Sequence, residues 1–476
     1  MIRTRFAPSP TGYLHIGGLR TALYAYLFSK KGGGKFILRM EDTDTEREVF
    51  GAKRVIYQTL KAAGMPYDEG PDVGGSFGPY VQSERKDIYQ KHAEQLIKTG
   101  GAYYCFCAKT RLEELHKNAT SKYDKKCLAL SKAEIKAKLA AKEPYVIRQN
   151  IPQSGTTTYS DLIFGDITID NKELEDGVLL KSDGMPTYNF ANVVDDHLMG
   201  ITHVIRGTEY LSSTPKYNHL YKAFGWPLPK YIHLQPIMRD AQNKLSKRHG
   251  DASYDDFIEK GYLSEALINY IALLGWSPGN NQEKLTMKEM LQLFSLDGIS
   301  KSSSIFDEEK LKWLNAQYIR ELSGEDFYHM ALPFLEQLAY LKDYDLHYVC
   351  TLVQSRCVLL SDVGPLTAFI NAFENFDLSL FKSDKWKTDE ALARKMMPEL
   401  LAITKSGFDN LDAVLDDFCT NHGYKKGQVL LVYRIAITGA LVTPGGAIEI
   451  AKLLGREKTV KRLKSTMNRL NHAANE

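Results

Sequence analysis

The sequence lacks the features that would place it in a membrane or outside the cell. No apolar run approaches the roughly 20 residues that a membrane-spanning helix requires. The segment Met1–Arg5 leads directly into a strand-like stretch, without the apolar core and small-residue cleavage site of a signal peptide. We therefore expect a cytoplasmic protein with no membrane partner.

Cysteine is also scarce, and charge of neither sign dominates. The six cysteines comprise one group of three and three scattered positions, a poor disulfide framework for 476 residues, so reduced thiols are expected. The formal net charge of +3 leaves the partner open, because local clusters of Lys and Arg attract phosphate and the total does not. The length predicts several domains of roughly 100–200 residues each.

The order of predicted elements near the N-terminus is typical of a parallel α/β fold. Arg3–Ala7 is predicted to be a strand, Pro8–Gly18 a loop, Leu19–Lys31 a helix and Lys35–Met40 a second strand. In such folds, ligands bind at the carboxyl ends of the strands.

The rest of the chain divides into an insertion and a helical half. Two strand-like segments, Val178–Lys181 and Thr202–Arg206, continue the α/β pattern. The block from about Gly101 to Leu174 is cysteine-bearing and lysine-rich, then turn-rich, and we interpret it as an insertion. From about Asp251, apolar residues recur at helical spacing and strand signals nearly vanish, which predicts a mostly helical C-terminal half.

The first candidate motif is the loop Pro8–Gly18, PSPTGYLHIGG, which ends where a helix is predicted to begin. The adjacent Gly17 and Gly18 allow the backbone to approach a ligand closely, and a helix N-terminus offers N–H groups to phosphate. His15 adds a further donor. The pattern favours nucleotide binding, although an isolated loop of this kind is commonly a turn and helix cap.

The second candidate motif is KLSKR at Lys244–Arg248, more than 200 residues downstream. Three cations within five residues can hold a triphosphate and offset the charge of a leaving pyrophosphate. Alone, such a cluster is commonly a solvated loop. The two motifs together are far more specific than either.

The two motifs resemble the HIGH and KMSKS signatures of class I aminoacyl-tRNA synthetases. They read HIGG at His15–Gly18 and KLSKR at Lys244–Arg248, with Gly18 at the last position of the first signature, where histidine is usual. Further segments resemble glutamyl-tRNA synthetases of the bacterial type, and the similarity runs from end to end. These segments are Arg5–Gly12, Glu41–Asp44, Lys181–Tyr188 and Asn192–His197.

The resemblance implies an α/β Rossmann-type class I catalytic domain with an inserted acceptor-binding domain, followed by all-α stem-contact and anticodon-binding domains. The implied boundaries are 1–100 for the first half of the catalytic domain, 101–190 for the insertion, 191–240 for the second half, 241–322 for the stem-contact domain with the KLSKR loop, and 323–476 for the helical anticodon-binding domain.

The activity implied by the resemblance is ATP-dependent ligation of L-glutamate to tRNA(Glu) through a glutamyl-adenylate, with Mg²⁺ accompanying the phosphates. The expected partners are tRNA(Glu), L-glutamate and ATP, and a monomer is expected. Alternatives are a non-discriminating enzyme that also charges tRNA(Gln), a glutaminyl enzyme, a relative that modifies a tRNA base, and an inactive tRNA-binding scaffold.

The resemblance also implies site residues, and neither chemical step demands an enzymic general base. The ATP-binding residues are His15, Gly17, Gly18, Lys244, Ser246 and Lys247, of which His15, Lys244 and Lys247 stabilise the reacting charges. The glutamate-binding residues are Arg5, Ser9, Glu41, Tyr188, Asn192 and Arg206. A guanidinium suits this substrate because it binds a carboxylate at two points, and an unpaired buried carboxylate is costly.

The clustered cysteines are a candidate metal site. Cys105, Cys107 and Cys127 supply three thiols, and three thiolates with one further ligand form a closed structural zinc site. Some relatives carry Tyr at the position of Tyr123, which would then be the fourth ligand, with His116 as a rival. The alternative is three reduced cysteines packed as small apolar groups.

The C-terminal half is the predicted RNA-binding portion. By resemblance, Arg356 and Thr443 lie where anticodon bases are recognised. The final helical segment is basic, and its cations either contact RNA phosphates or are simply solvated. These cations are Lys452, Arg456, Lys458, Lys461, Arg462, Lys464 and Arg469.

Overall fold

A computed structural model describes residues 1–44, 49–115, 117, 122–245, 253–373 and 376–474. The predicted site residues Ser246 and Lys247, and the alternative ligand His116, lie outside these ranges. The chain forms two units, Met1–Ile258 with Ser264–Glu308 and Glu259–Leu263 with Glu309–Glu476. In the described ranges, every helix is too short or too polar to span a membrane.

The strands are β1 (Arg3–Phe6), β2 (Lys35–Leu38), β3 (Ala102–Cys105), β4 (Val146–Gln149), β5 (Thr156–Asp161), β6 (Gly165–Asp170), β7 (Val178–Leu180), β8 (His203–Gly207), β9 (Lys230–Leu234), β10 (Ile237–Met238) and β11 (Ser304–Ile305). The four strands predicted from the sequence are therefore confirmed to within two residues at either end.

The helices are α1 (Ile16–Lys31), α2 (Ala52–Ala62), α3 (Lys86–Thr99), α4 (Lys109–Leu115), α5 (Lys132–Ala140), α6 (Tyr188–Leu198), α7 (Thr214–Phe224), α8 (Tyr254–Glu259), α9 (Ser264–Leu273), α10 (Met287–Leu293), α11 (Glu308–Glu321), α12 (Gly324–Leu335), α13 (Leu346–Val353), α14 (Val363–Thr367), α15 (Glu390–Gly407), α16 (Leu411–His422), α17 (Lys426–Thr438) and α18 (Ala447–His472). From residue 253 onward the described chain is helical apart from β11, as predicted.

The central strands are parallel. β1 pairs with β2 and β8 pairs with β9, both in parallel. β8 runs beside β1 in the same direction, because the Thr202 N–H donates to the Arg3 carbonyl at 3.0 Å and Arg5 Nη1 donates to the Ile205 carbonyl at 3.2 Å. The carboxyl ends of these strands therefore share one edge, which is where such sheets bind ligands.

The predicted insertion contributes strands to the first unit. β3, β4 and β7 form an antiparallel sheet that packs with α3, α6 and α7 around a core including Tyr89, Phe190 and Tyr217. β5 and β6 form an antiparallel hairpin, and β5 also joins β9 through the parallel pair Asp161↔Tyr231. The insertion thus extends the sheet that contains β8.

Helix α1 begins three residues earlier than predicted. Its N-cap is His15, whose Nδ1 accepts a hydrogen bond from the Gly17 N–H at 3.0 Å. A Cβ at Gly17 would lie only 3.2 Å from that nitrogen, so the absence of a side chain is what admits the cap. The two glycines belong to the first turn of the helix and not to the loop, because the side chain of His15 replaces the missing backbone acceptor.

Two adjacent carboxylates on α6 gather three buried arginines of the first unit. Asp196 accepts from Arg5 Nε at 3.0 Å and from Arg39 Nη1 at 2.7 Å. Asp195 accepts from Arg85 Nε at 2.7 Å. The arginines belong to β1, to the end of β2 and to the segment before α3, so the acid pair links three separate parts of the fold.

Replacing Asp195 by Ala is expected to lower the free energy of unfolding of this unit by about 3–5 kcal/mol, the usual cost of breaking a buried ion pair. Nε of Arg85 would lose its acceptor, and so would Gln82 and Tyr89, which donate to the same carboxylate. Thermal unfolding followed by circular dichroism measures the effect. The Glu143→Gln variant is the control, because its ion pair with Lys138 is exposed, and equal midpoints for the two variants would contradict the linking role of Asp195.

Candidate active site

A cavity of about 490 Å³ lies at the carboxyl ends of β1 and β8. Five of the six residues predicted to bind glutamate line it, namely Arg5, Ser9, Glu41, Tyr188 and Arg206. The sixth, Asn192, is buried one turn further along α6, where its amide donates to the Tyr188 carbonyl at 2.7 Å. Asn192 thus supports the position of Tyr188 from behind.

A second cavity of about 460 Å³ holds the predicted ATP-binding residues that the structure describes, His15, Gly17, Gly18 and Lys244. The two predicted motifs therefore meet at one cavity. This cavity adjoins the first, because both are lined by Gly18, Thr21, Gly207 and Glu209. An acid substrate in one cavity and a triphosphate in the other would be neighbours.

The side chain of His15 is fixed by its role as the helix cap. Since the backbone N–H of Gly17 can only donate, Nδ1 of the ring is an acceptor and carries no proton. A neutral His15 therefore holds its proton on Nε2, a tautomer suited to donating to a phosphate oxygen. Lys244 lies on an exposed turn, where Met238 and Lys244 form an antiparallel bridge.

Arg206 is the central cation of the first cavity. Its guanidinium is surrounded by three tyrosine rings, with Cζ 5.1, 4.8 and 5.4 Å from the centroids of Tyr210, Tyr217 and Tyr231. Nε donates to His233 Nε2 at 3.2 Å and Nη2 donates to Thr214 Oγ1 at 2.7 Å. Although Arg206 is only 6% exposed, it forms no ion pair with any residue in the described ranges.

Arg5 differs from Arg206 in its charge balance. Asp196 neutralises Arg5, whereas no carboxylate contacts Arg206 in the described part of the chain. A buried guanidinium without a counter-ion is costly, and a carboxylate that enters the cavity would remove that cost. The cavity is therefore suited to an acidic ligand.

Glu41 and Tyr188 are polar residues that line the same cavity as Arg206. Arg39 Nη2 donates to Glu41 Oε1 at 2.9 Å, and the second oxygen, Oε2, makes no bond to a described residue. Burial raises the pKa of Glu41, against the opposing effect of Arg39 and Arg5. Burial also raises the pKa of Tyr188 well above its ordinary value, so this phenol stays neutral and can donate.

The cysteine group converges as predicted. The sulfurs of Cys105, Cys107 and Cys127 all lie within 4.8 Å of one another. Tyr123 Oη lies 3.3 Å from Cys105 Sγ and 3.5 Å from Cys107 Sγ. Burial raises the pKa of the Cys105 thiol, but hydrogen bonds from Tyr123, the Cys107 N–H and Arg148 outweigh it, so that the net shift is downward, whereas burial raises the pKa of Cys107 and of Tyr123.

In the second unit, Arg356 and Thr443 line one cavity of about 320 Å³.

The basic helix is less available to RNA than its composition indicates. Arg462 is buried and donates to the carbonyls of Phe369, Ile370 and Ile437, and Arg469 donates to the carbonyl of Phe376. These two cations cap backbone groups inside the unit. Helix α18 is also interrupted at Gly455, where φ is 77°.

The residues of the first cavity and its walls that were not predicted include Asp161, Glu209, Thr214 and His233. Glu209 lines both cavities, two residues after the end of β8. His233 is the polar residue within the apolar run of β9, which is the one sequence signal that singles it out. Asp161 and Thr214 carry no such signal, because each meets the site only through tertiary contacts.

A parallel sheet with two adjoining cavities at its carboxyl edge, one lined by residues of HIGG and by Lys244 and Leu245 of KLSKR, defines a class I tRNA synthetase. The family model described as "tRNA synthetases class I (E and Q), catalytic domain" matches residues 1–313. A second, described as "Anticodon binding domain", matches residues 326–467.

Close relatives narrow the class. The chain is 53% identical to the glutamate–tRNA ligase of Clostridium botulinum (strain Eklund 17B / Type B) over 97% of this chain and 98% of that protein. It is 52% identical to the one from Clostridium tetani over 100% and 99%. A crystal structure of a glutamate tRNA ligase from Elizabethkingia meningosepticum, in complex with its amino acid, superposes with a TM-score of 0.89 at 37% identity, covering 98% of this chain and 99% of that one. This chain belongs to the family of glutamate–tRNA ligases, which confirms the resemblance inferred from the sequence.

Proposed function

We propose that this chain ligates L-glutamate to tRNA(Glu) in two steps, with glutamate in the first cavity and ATP in the second. The observation that carries the assignment of the cavities is Arg206, a buried guanidinium that pairs with no carboxylate among the described residues and lies beside a second cavity lined by His15 and Lys244. The side-chain carboxylate of glutamate supplies the missing charge. A glutamine amide would not, which favours the acid over its amide.

In the first step, an α-carboxylate oxygen of glutamate attacks the α-phosphorus of ATP, and the bond to pyrophosphate breaks. In the second step, a hydroxyl of the terminal ribose of the tRNA attacks the acyl carbon, and AMP leaves. Arg206 holds the side chain, Glu41 accepts from the α-ammonium group, and Arg5 with Ser9 completes the wall at the amino-acid end. These residues accelerate the reaction by aligning the two substrates.

His15 and Lys244 act on the phosphates. His15 donates through Nε2 and Lys244 provides positive charge where pyrophosphate departs, so both stabilise charge that grows in the transition state. Mg²⁺ would bind chiefly to the phosphate oxygens and screen their charge, since this ion prefers oxygen ligands. Thr443 and Arg356 would contact an anticodon base in the cavity that they share in the second unit.

Aminoacylation with purified tRNAs tests the function. We expect ATP-dependent transfer of glutamate to tRNA(Glu) and little transfer of glutamine to any tRNA. The same assay with tRNA(Gln) distinguishes a non-discriminating enzyme, which would transfer glutamate to both. Absence of glutamate transfer and of ATP–pyrophosphate exchange, with tRNA present, would instead indicate a scaffold.

Replacing Arg206 by Leu is expected to raise the KM for glutamate by about 10- to 100-fold, the usual loss for charged hydrogen bonds. The KM for ATP should stay within about twofold, because Arg206 does not line the second cavity. Steady-state aminoacylation measures both constants. The Arg239→Gln variant is the control, because Arg239 and its partner Asp240 are both exposed. An unchanged KM for glutamate in the Arg206 variant would contradict the assignment.

We propose further that Cys105, Cys107, Cys127 and Tyr123 bind a structural zinc ion. In a tetrahedral site with Zn–S bonds of about 2.3 Å, the sulfurs lie about 3.8 Å apart. Cys107 Sγ and Cys127 Sγ are 3.5 Å apart, and the phenol oxygen lies at a similar distance from two sulfurs, so the donor set fits. The ion would fix the segment between β3 and β4 and take no part in the chemistry.

Metal analysis of the purified protein tests the site. We expect about one zinc per chain in the wild type and less than half of that in the Cys127→Ser variant, because one of four ligands is lost. The matched control is Cys419→Ser, a cysteine of the same burial, 7% exposed against 6%, that lies in the second unit. Equal zinc content in the two variants would rule out the cluster as the binding site.

A further inference from the structure

The guanidinium of Arg206 is connected to a buried carboxylate through a histidine ring. His233 Nδ1 lies 2.7 Å from Asp161 Oδ2, and His233 Nε2 lies 3.2 Å from Arg206 Nε. The Arg206 Nε–H can only donate, so Nε2 of the ring is an acceptor. The proton of a neutral His233 is therefore on Nδ1, where it is donated to Asp161.

We propose that His233, oriented by Asp161, is a positioning residue that sets the affinity of Arg206 for glutamate. This inference rests on the proposed function, because it assumes that Arg206 holds the side-chain carboxylate. It concerns two residues that touch no substrate and that act through the orientation and charge of Arg206.

The hydrogen bonds to Arg206 occupy one side of its guanidinium. His233 accepts from Nε and Thr214 accepts from Nη2, while the Thr214 hydroxyl donates to the Tyr210 carbonyl and so keeps its lone pair for Arg206. The end of the group, Nη1 with the second N–H of Nη2, makes no bond to a described residue. These are the two parallel donors that a carboxylate binds best.

A direct ion pair between Asp161 and Arg206 would satisfy the cation more strongly but would occupy it. With the histidine between them, the carboxylate stabilises the buried cation at a distance and leaves the charge available to a ligand. Asp161 is itself well held, because its Oδ1 accepts from the N–H groups of Ile163 and Phe164, and its Oδ2 also accepts from the His233 N–H. These hydrogen bonds fix the position of the Asp161 carboxylate, and with it the ring of His233.

The protonation of His233 agrees with this role. Burial lowers the pKa of His233, and the charge of Arg206 acts in the same direction, against the hydrogen bond to Asp161. The ring is therefore neutral near pH 7 and retains the lone pair on Nε2. A protonated ring would place a second cation beside Arg206 and remove its acceptor.

The contact between Asp161 and His233 also gives the insertion a function within the first unit, because Asp161 belongs to the insertion. Asp161 is the last residue of β5 and forms the parallel pair with Tyr231 that joins the β5–β6 hairpin to β9. The hairpin therefore supplies the anchor of the glutamate cavity from outside the catalytic strands.

Two substitutions of His233 distinguish its two nitrogens. Asn places its amide near Nδ1, so it keeps a donor to Asp161 but cannot reach Arg206. Gln places its amide near Nε2, so its oxygen can accept from Arg206 Nε. We expect His233→Asn to raise the KM for glutamate by about tenfold or more, with kcat and the KM for ATP within about threefold, and His233→Gln to recover most of the loss.

The control variant is His203→Asn, which alters a half-buried histidine on β8 that does not contact Arg206 and should leave both KM values unchanged. If His233→Asn does not unfold cooperatively, Thr214→Val replaces it, since it removes the hydroxyl that accepts from Arg206 Nη2 and donates to the Tyr210 carbonyl, and should also raise the KM for glutamate. A His233→Asn variant with wild-type KM values would overturn the proposal. So would variants His233→Asn and His233→Gln that both raise the KM for glutamate and the KM for ATP in parallel. If His233→Asn keeps wild-type values while the wild type charges glutamate and Arg206→Leu is defective, the inference about His233 fails and the proposed function stands.

Discussion

Asp195 and Asp196 hold the buried charges of the first unit in balance. The two carboxylates and Glu41 face three guanidinium groups, those of Arg5, Arg39 and Arg85, and hydrogen bonds of 2.7 to 3.0 Å connect them. Each charge is tolerable in the interior only because its partners are present. The network lies directly behind the first cavity, so two of its members, Arg5 and Glu41, also form the wall of the cavity.

The ion pairs of this network leave Arg206 without a carboxylate partner in the described part of the chain. Because the acid pair is fully engaged by other arginines, it cannot neutralise Arg206, whose nearest support is three tyrosine rings and the ring of His233. The cavity therefore contains a guanidinium that no carboxylate pairs with in the described part of the chain, although Asp44 and Glu209 also line the cavity.

Several interpretations from the sequence were accurate because they rested on local patterns. The strand–loop–helix–strand order at the N-terminus predicted the parallel pair β1 and β2, and the periodicity from about residue 251 predicted helices. The start of α1 was misplaced because a histidine is not among the usual capping residues. Composition could not show that two of the seven cations of α18, Arg462 and Arg469, satisfy backbone carbonyls of their own unit.

The sequence by itself determined the family and the class of fold, and it predicted residues that line the two cavities, because these lie in short motifs whose chemistry is readable from neighbouring residues. Only the tertiary structure decided which arginine is compensated and which is not. Asp196 and Arg5 are 191 positions apart, and Asp161 and His233 are 72 apart. Charge depends on distance through space, and the sequence gives no measure of that distance between residues so far separated along the chain.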